Sequence, residues 1–103
     1  MKFITKYDKL DANEKMKIGE YISSVEHDQK SAILQYLKNG MDAGVRCSSV
    51  FDYVKKEYIP QTIHLYTDGE FFWNDEDIYH FEKYNLQLNE EFINKMLQST
   101  AKP

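Results

Sequence analysis

Thr62-Ile63-His64-Leu65-Tyr66-Thr67-Asp68-Gly69-Glu70-Phe71-Phe72-Trp73 is the stretch on which the fold turns. β-Branched and aromatic residues flank Asp68-Gly69. An Asp-Gly pair between two such runs is the signature of a two-residue type I′ hairpin, in which both central residues take positive φ. That turn sets a register: Tyr66 faces Phe71 and His64 faces Trp73 on one side of the ribbon, and Leu65 faces Phe72 on the other with Ile63 beside it. Both faces are then apolar, so the ribbon is either covered on both sides or leaves an aromatic face for a partner.

Working outward, Asn74 or Asp75 can cap a helix that turns Ile78, Phe81 and Tyr84 inward, and Asn89 caps a last helix with Phe92, Ile93, Met96 and Leu97 on one face. Leu88, just before that cap, can staple onto Ile93. From about residue 98 to Pro103 the chain reads as a frayed tail. On the other side of the ribbon, Arg46 to Val54 reads as a strand, although Val50, Phe51, Val54 and Tyr58 also fit a helix face, and both readings stand. Further back, Asp11-Ala12-Asn13-Glu14 has the form of a capping box, followed by Ile18, Tyr21, Ile22 and Val25 at helical spacing. This predicts a helix over 12–25. Asp28 can cap a second, with Ile33, Leu34 and Leu37 as its stripe and Lys38-Asn39-Gly40 as its stop. The expected architecture is one α+β domain over residues 1–103: an N-terminal helix pair, a small antiparallel sheet with an Asp-Gly hairpin, and two C-terminal helices.

The composition agrees with one folded unit. Hydrophobic residues make up 42% and charged residues 29% of 103, a globular balance, and eight Tyr, six Phe and one Trp make rings the main core material. No apolar run approaches the ~18 residues a membrane span requires, and the start lacks a signal-like stretch, so the expected compartment is the cytoplasm. Cys47 is the only cysteine, which rules out an intrachain disulfide.

Catalytic constellations are not evident. His27, His64 and His80 have no helical metal-pair spacing, and four dispersed glycines make no phosphate-cradling loop. Cys47 has no local partner base, and the carboxylates Asp68, Glu70, Asp75, Glu76 and Asp77 match neither a calcium loop nor an acid/base pair. No enzyme activity, metal or cofactor is therefore expected. What stands out is the charge distribution. Residues 57–82 hold seven acids and no Lys or Arg, giving −7, whereas the rest of the chain carries +3. The same segment carries the rings, and acid with aromatic is the composition of a patch that docks on a basic protein surface. The expected contact residues are Asp68, Glu70, Phe71, Trp73, Asp75, Glu76, Asp77 and His80. Such a patch repels nucleic-acid phosphates but suits a protein whose own site is built to hold nucleic acid.

Thr67-Asp68-Gly69-Glu70-Phe71-Phe72-Trp73, followed by Tyr79-His80-Phe81-Glu82-Lys83-Tyr84 and then Leu88 to Phe92, resembles a pattern in small bacterial immunity proteins of polymorphic toxin systems, contact-dependent growth inhibition among them. In those a T-D-G-x-x-x-W hairpin leads into a Y-x-x-E-K-Y helix. The resemblance covers about residues 45–97. It departs at Asn74, where many relatives have Pro. It implies a one-to-one complex with a cognate toxin, a basic nuclease by the charge argument, whose active site or neighbouring surface would be masked. Two alternatives remain: a phage-derived or regulatory protein that mimics nucleic acid, and a small enzyme built on His64 and His80.

Overall fold

The structure, a computed structural model, describes residues 2–100. It is α+β, a four-stranded mixed sheet in the order β1-β4-β3-β2 with four helices. The strands are β1 (Lys2–Phe3), β2 (Met41–Asp52), β3 (Glu57–Thr67) and β4 (Phe71–Asn74). The helices are α1 (Ala12–Lys15), α2 (Lys30–Lys38), α3 (Asp75–Tyr84) and α4 (Glu90–Thr100), with 3-10 turns at Lys6–Lys9 and Ile18–Glu20. β2, β3 and β4 run antiparallel, and β1 lies parallel to β4, with Lys2 beside Phe71 and Phe3 beside Phe72. The sheet is thus mixed, where a purely antiparallel one was expected. No described helix is long and apolar enough to cross a membrane.

The β3–β4 connection departs from the two-residue turn. Thr67 faces Phe72, Tyr66 faces Trp73 and Leu65 faces Asn74, which leaves residues 68–71 between the last paired positions. Side chains cause the difference. Asp68 Oδ1 accepts the N–H groups of Glu70 (2.9 Å) and Phe71 (2.8 Å), while Thr67 Oγ1 donates to the Phe71 carbonyl (2.7 Å) and accepts from Gly69 N–H (3.0 Å). These local bonds offer the backbone an alternative to continued pairing. Gly69 has φ 98°, but Asp68 is not among the positive-φ residues, so the I′ condition is half met. The displacement is two residues, and the side-chain period is also two, so each ring keeps its expected face.

That parity lets the ribbon build the core. Trp73 is fully buried, its indole N–H donates to the Leu37 carbonyl at the end of α2 (2.9 Å), and its ring lies 5.7 Å from that of Phe92 on α4. Phe71 meets the same Phe92 edge-on at 5.2 Å. Ile33, Leu37, Ile78, Phe81, Leu86, Leu88 and Met96 close around them, with Ile4 and Tyr7 from the N-terminal segment. Gly40 permits this packing, because a Cβ there would stand 2.6 Å from Trp73 Cζ2.

The N-terminal helix over 12–25 does not form as one element. The Asp11 capping box is present, but α1 ends at Lys15. The hydroxyl of Tyr7 donates to the Lys15 carbonyl (2.6 Å), the acceptor that a continuing helix would offer to Gly19. The chain then runs irregularly past the 3-10 turn and is tied to the 84–87 loop by Gln87 N–H to the Tyr21 carbonyl (2.7 Å) and Ser23 N–H to the Tyr84 carbonyl (3.2 Å). The strand reading holds for Arg46–Asp52, inside a β2 that begins at Met41, and residues 53–56 form a turn. At the other end α4 continues to Thr100, so residues 98–100 are helical where a tail was expected, and 101–103 lie outside the described residues.

Candidate binding surfaces

The acids expected to meet a partner meet the protein's own backbone. Asn74 caps α3 through a complete capping box: its Oδ1 accepts Asp77 N–H (3.0 Å) and its N–H donates to Asp77 Oδ2 (3.1 Å). Asp75, first in the helix, reaches sideways to β3, where Oδ2 accepts the His64 backbone N–H (2.7 Å) and lies 3.0 Å from His64 Nδ1, and Oδ1 accepts the Tyr66 hydroxyl (2.9 Å). Glu76 accepts the N–H of Phe51 on β2 (3.0 Å). The acidic first turn of α3 is thus a clasp, one carboxylate closing the cap and two others holding different strands. Its negative charge also suits the helix dipole.

The contact surface inferred from sequence is corrected accordingly. Phe71, Trp73, Asp75, Asp77 and His80 are buried, Glu76 is half-buried and bonded, and the Asp68 side chain is only 8% exposed. Asp68 Oδ2 accepts the Tyr36 hydroxyl (2.6 Å) and Lys95 Nζ (2.7 Å). Burial works against the charge of this carboxylate, but Lys95, Tyr36 and the two N–H donors outweigh it and hold its pKa at about 2. Glu70 alone of the set is well exposed, and it lies 3.5 Å from Lys2 Nζ. His80 is neutral scaffold: Nδ1–H donates to the Glu76 carbonyl (2.7 Å), Nε2 accepts Tyr53 N–H (3.1 Å), and burial lowers its pKa. Four of the seven acids in the −7 segment are therefore engaged within the molecule, and Glu57, Glu70 and Glu82 remain exposed. One-dimensional charge counting could not show this, since a carboxylate that collects N–H groups and one that faces water look alike in sequence.

Two buried carboxyl sites were not foreseen. Asp52 closes the turn after β2, where Oδ2 accepts the hydroxyls of Tyr79 and Tyr84 (2.6 Å each) and Oδ1 the N–H groups of Val54 and Lys55 (2.9 Å each). Burial would raise its pKa, yet those four donors bring it down to about 2. Asp77 and Asp8 form the second site, carboxyl bonded to carboxyl. Burial, then the charge of Asp8, pushes Asp77 well above the ordinary range, and burial raises Asp8 as well.

What remains open to solvent lies elsewhere. β2 and β3 form a long ribbon with bulges near Ala43 and Cys47-Ser48, and β2 is one of the sheet's two edges. Met41 (58% exposed), Val45 (57%), Val54 (39%) and Tyr58 (71%) stand out along it, with Phe51 beneath Tyr58 at 4.9 Å. Cys47 is exposed there too. On another part of the molecule a cleft of about 770 Å³ separates residues 21–27 from α4. Val25, expected on a buried helix face, is 74% exposed at its lip. A His–Asp pair exists at His64 and Asp75, with the His64 side chain 51% exposed. Among the described residues no group of three or more His, Cys, Asp or Glu is placed to hold a metal ion. No protein-family model, no curated protein and no solved structure matches the chain.

Proposed function

We propose that this chain is an inhibitor of the immunity type, a cytoplasmic protein that binds a cognate protein toxin, a nuclease domain of basic character, and masks its surface in a one-to-one complex. The contact is assigned to the β2–β3 ribbon in place of residues 68–80. The observation that carries this assignment is the exposure of Met41 and Val45 on the edge strand β2, with Val54 in the turn that follows it and Tyr58 at the start of β3. Edge strands with apolar side chains are the surfaces to which other chains add, through main-chain bonds and side-chain pockets. The likeness at residues 67–84 supports the class of protein but marks scaffold, since Trp73, Tyr79 and Tyr84 all serve packing or the Asp52 clasp. The nucleic-acid mimic needs a row of carboxylates facing water, and Asp68, Asp75 and Asp77 supply none.

The test is binding of the purified product of the neighbouring toxin gene to the wild-type chain and to a Val45→Asp/Tyr58→Ala variant. These side chains are exposed, so the variant should keep its unfolding midpoint and lose at least about tenfold in affinity. Undiminished binding by the variant overturns the ribbon assignment, and a wild-type chain that neither binds nor protects against any adjacent toxin overturns the immunity reading.

A further inference from the structure

The cleft between residues 21–27 and α4 is a second place where the molecule is unfinished. Its near wall exists because the N-terminal helix stops early: Ser23 is tied on both sides, its N–H to the Tyr84 carbonyl (3.2 Å) and its carbonyl to Asn85 Nδ2 (2.9 Å). Lys30 braces the same wall, with Nζ donating to the Glu82 carbonyl and Asn85 Oδ1 at 2.8 Å each. Ile22, Val25, Phe81, Leu88, Ile93 and Leu97 line the space, and its volume of about 770 Å³ lies within the range of ligand-holding clefts. A smaller cleft of about 470 Å³ continues it past Tyr21, Gln87 and Glu90 towards Thr5.

The charge bordering this groove is mainly acidic. Glu26 and Glu90 border the main cleft with no Lys or Arg, and Glu20 borders its continuation against the single Lys6. Glu26 pairs with Lys30 (3.4 Å), whereas Glu20 and Glu90 are in no ion pair among the described residues. An apolar trough with an acidic rim matches an amphipathic helix whose apolar stripe fills the trough and whose flanks are basic. We propose that this groove docks a lysine- or arginine-flanked amphipathic helix of a partner protein. The proposal stands apart from the ribbon: failure of either test leaves the other surface untouched.

The probe is a synthetic peptide of about fifteen residues with Leu at i, i+3, i+4 and i+7 and Lys elsewhere, long enough to form a helix once docked. A second peptide carries Glu for every Lys, and dodecanoate serves as an apolar ligand without a helix. In NMR titrations the Lys peptide should move the amides of Ile22, Val25 and Ile93. Both Val25→Asp and Glu20→Lys/Glu90→Lys should weaken it by about tenfold or more, and the Glu peptide should not bind. Val25 is mostly exposed, so its variant folds. Equal binding of the two peptides, perturbations confined to β2 and β3, binding of dodecanoate alone, or no binding at all would each overturn the proposal.

Discussion

At the scale of single residues, carboxylates dominate the behaviour, and they divide into two groups with opposite responses to acid. Asp52 and Asp68 titrate at about 2, below the ordinary 3.8, so what they contribute is complete above that ordinary value and is lost as pH falls towards 2. Asp8 and Asp77 are raised, so their contribution is complete below 3.8 and declines as pH climbs through their folded values. Asp8 is also near Lys15, Arg46 and His80, and the first two charges partly hold its carboxyl down. Replacing Asp8 with Asn removes one acid and supplies an amide donor to Asp77. The Asp8→Asn variant should therefore gain roughly 1 kcal/mol at neutral pH and nothing near pH 3. Urea unfolding across pH checks this, and a variant weaker than wild type at every pH would contradict this reading of the Asp8–Asp77 pair. Asp52→Ala should cost roughly 3 kcal/mol at neutral pH, since it strands two hydroxyls and two N–H groups, and the deficit should narrow as pH falls towards 2.

At the scale of elements, the molecule depends on close approach between α2's exit and β4. Gly40→Ala places a methyl group 2.6 Å from Trp73 Cζ2 and 3.0 Å from Tyr66 Cβ, and the Trp cannot retreat without releasing its bond to Leu37. A loss of roughly 2 kcal/mol is expected in thermal or urea unfolding, as for overpacking elsewhere. A neutral Gly40→Ala would show that this contact is slack. The same elements explain what could be read in advance. Helices α3 and α4 were legible because the cap of α3 and the apolar stripes of both are local, and Asn74 and the Phe92–Met96 face are where the pattern placed them. The helix over 12–25 was not, because Tyr7, outside the window, diverts its carbonyl. β3 and β4 pair antiparallel, but through neither the two-residue turn nor the register that was read, because a type I′ turn competes with the Asx-type turn that Asp68 prefers.

At the scale of the whole molecule, four of the seven acids that promised a docking face (Asp68, Asp75, Glu76 and Asp77) are bonded within the fold, Glu57, Glu70 and Glu82 stay exposed, and the ribbon presents apolar side chains. Binding through the ribbon should then show only a shallow dependence of association rate on salt, because Lys2, Lys38 and Lys95 already stand against Glu70, Glu82 and Asp68. Stopped-flow mixing at two ionic strengths checks this, and a steep fall in the rate would return the contact to an acidic face. The candidate site was thus the least legible part of the sequence. Composition reports which groups are present, and only the fold decides which of them the solvent sees.

β1 has a consequence for how the chain is made. Its partner strand lies at Phe71 and Phe72, and the residues after it are held by Gln87 and Asn89, through Thr5 Oγ1 to the Gln87 carbonyl (2.6 Å) and Asn89 N–H to the Ile4 carbonyl (2.7 Å). Residues 2–5 can therefore dock only after residues 71–89 have been made, a long loop closure that slows folding. Until then one flank of β4 lies open, and that interval is when the nascent protein is most exposed to strand-to-strand aggregation.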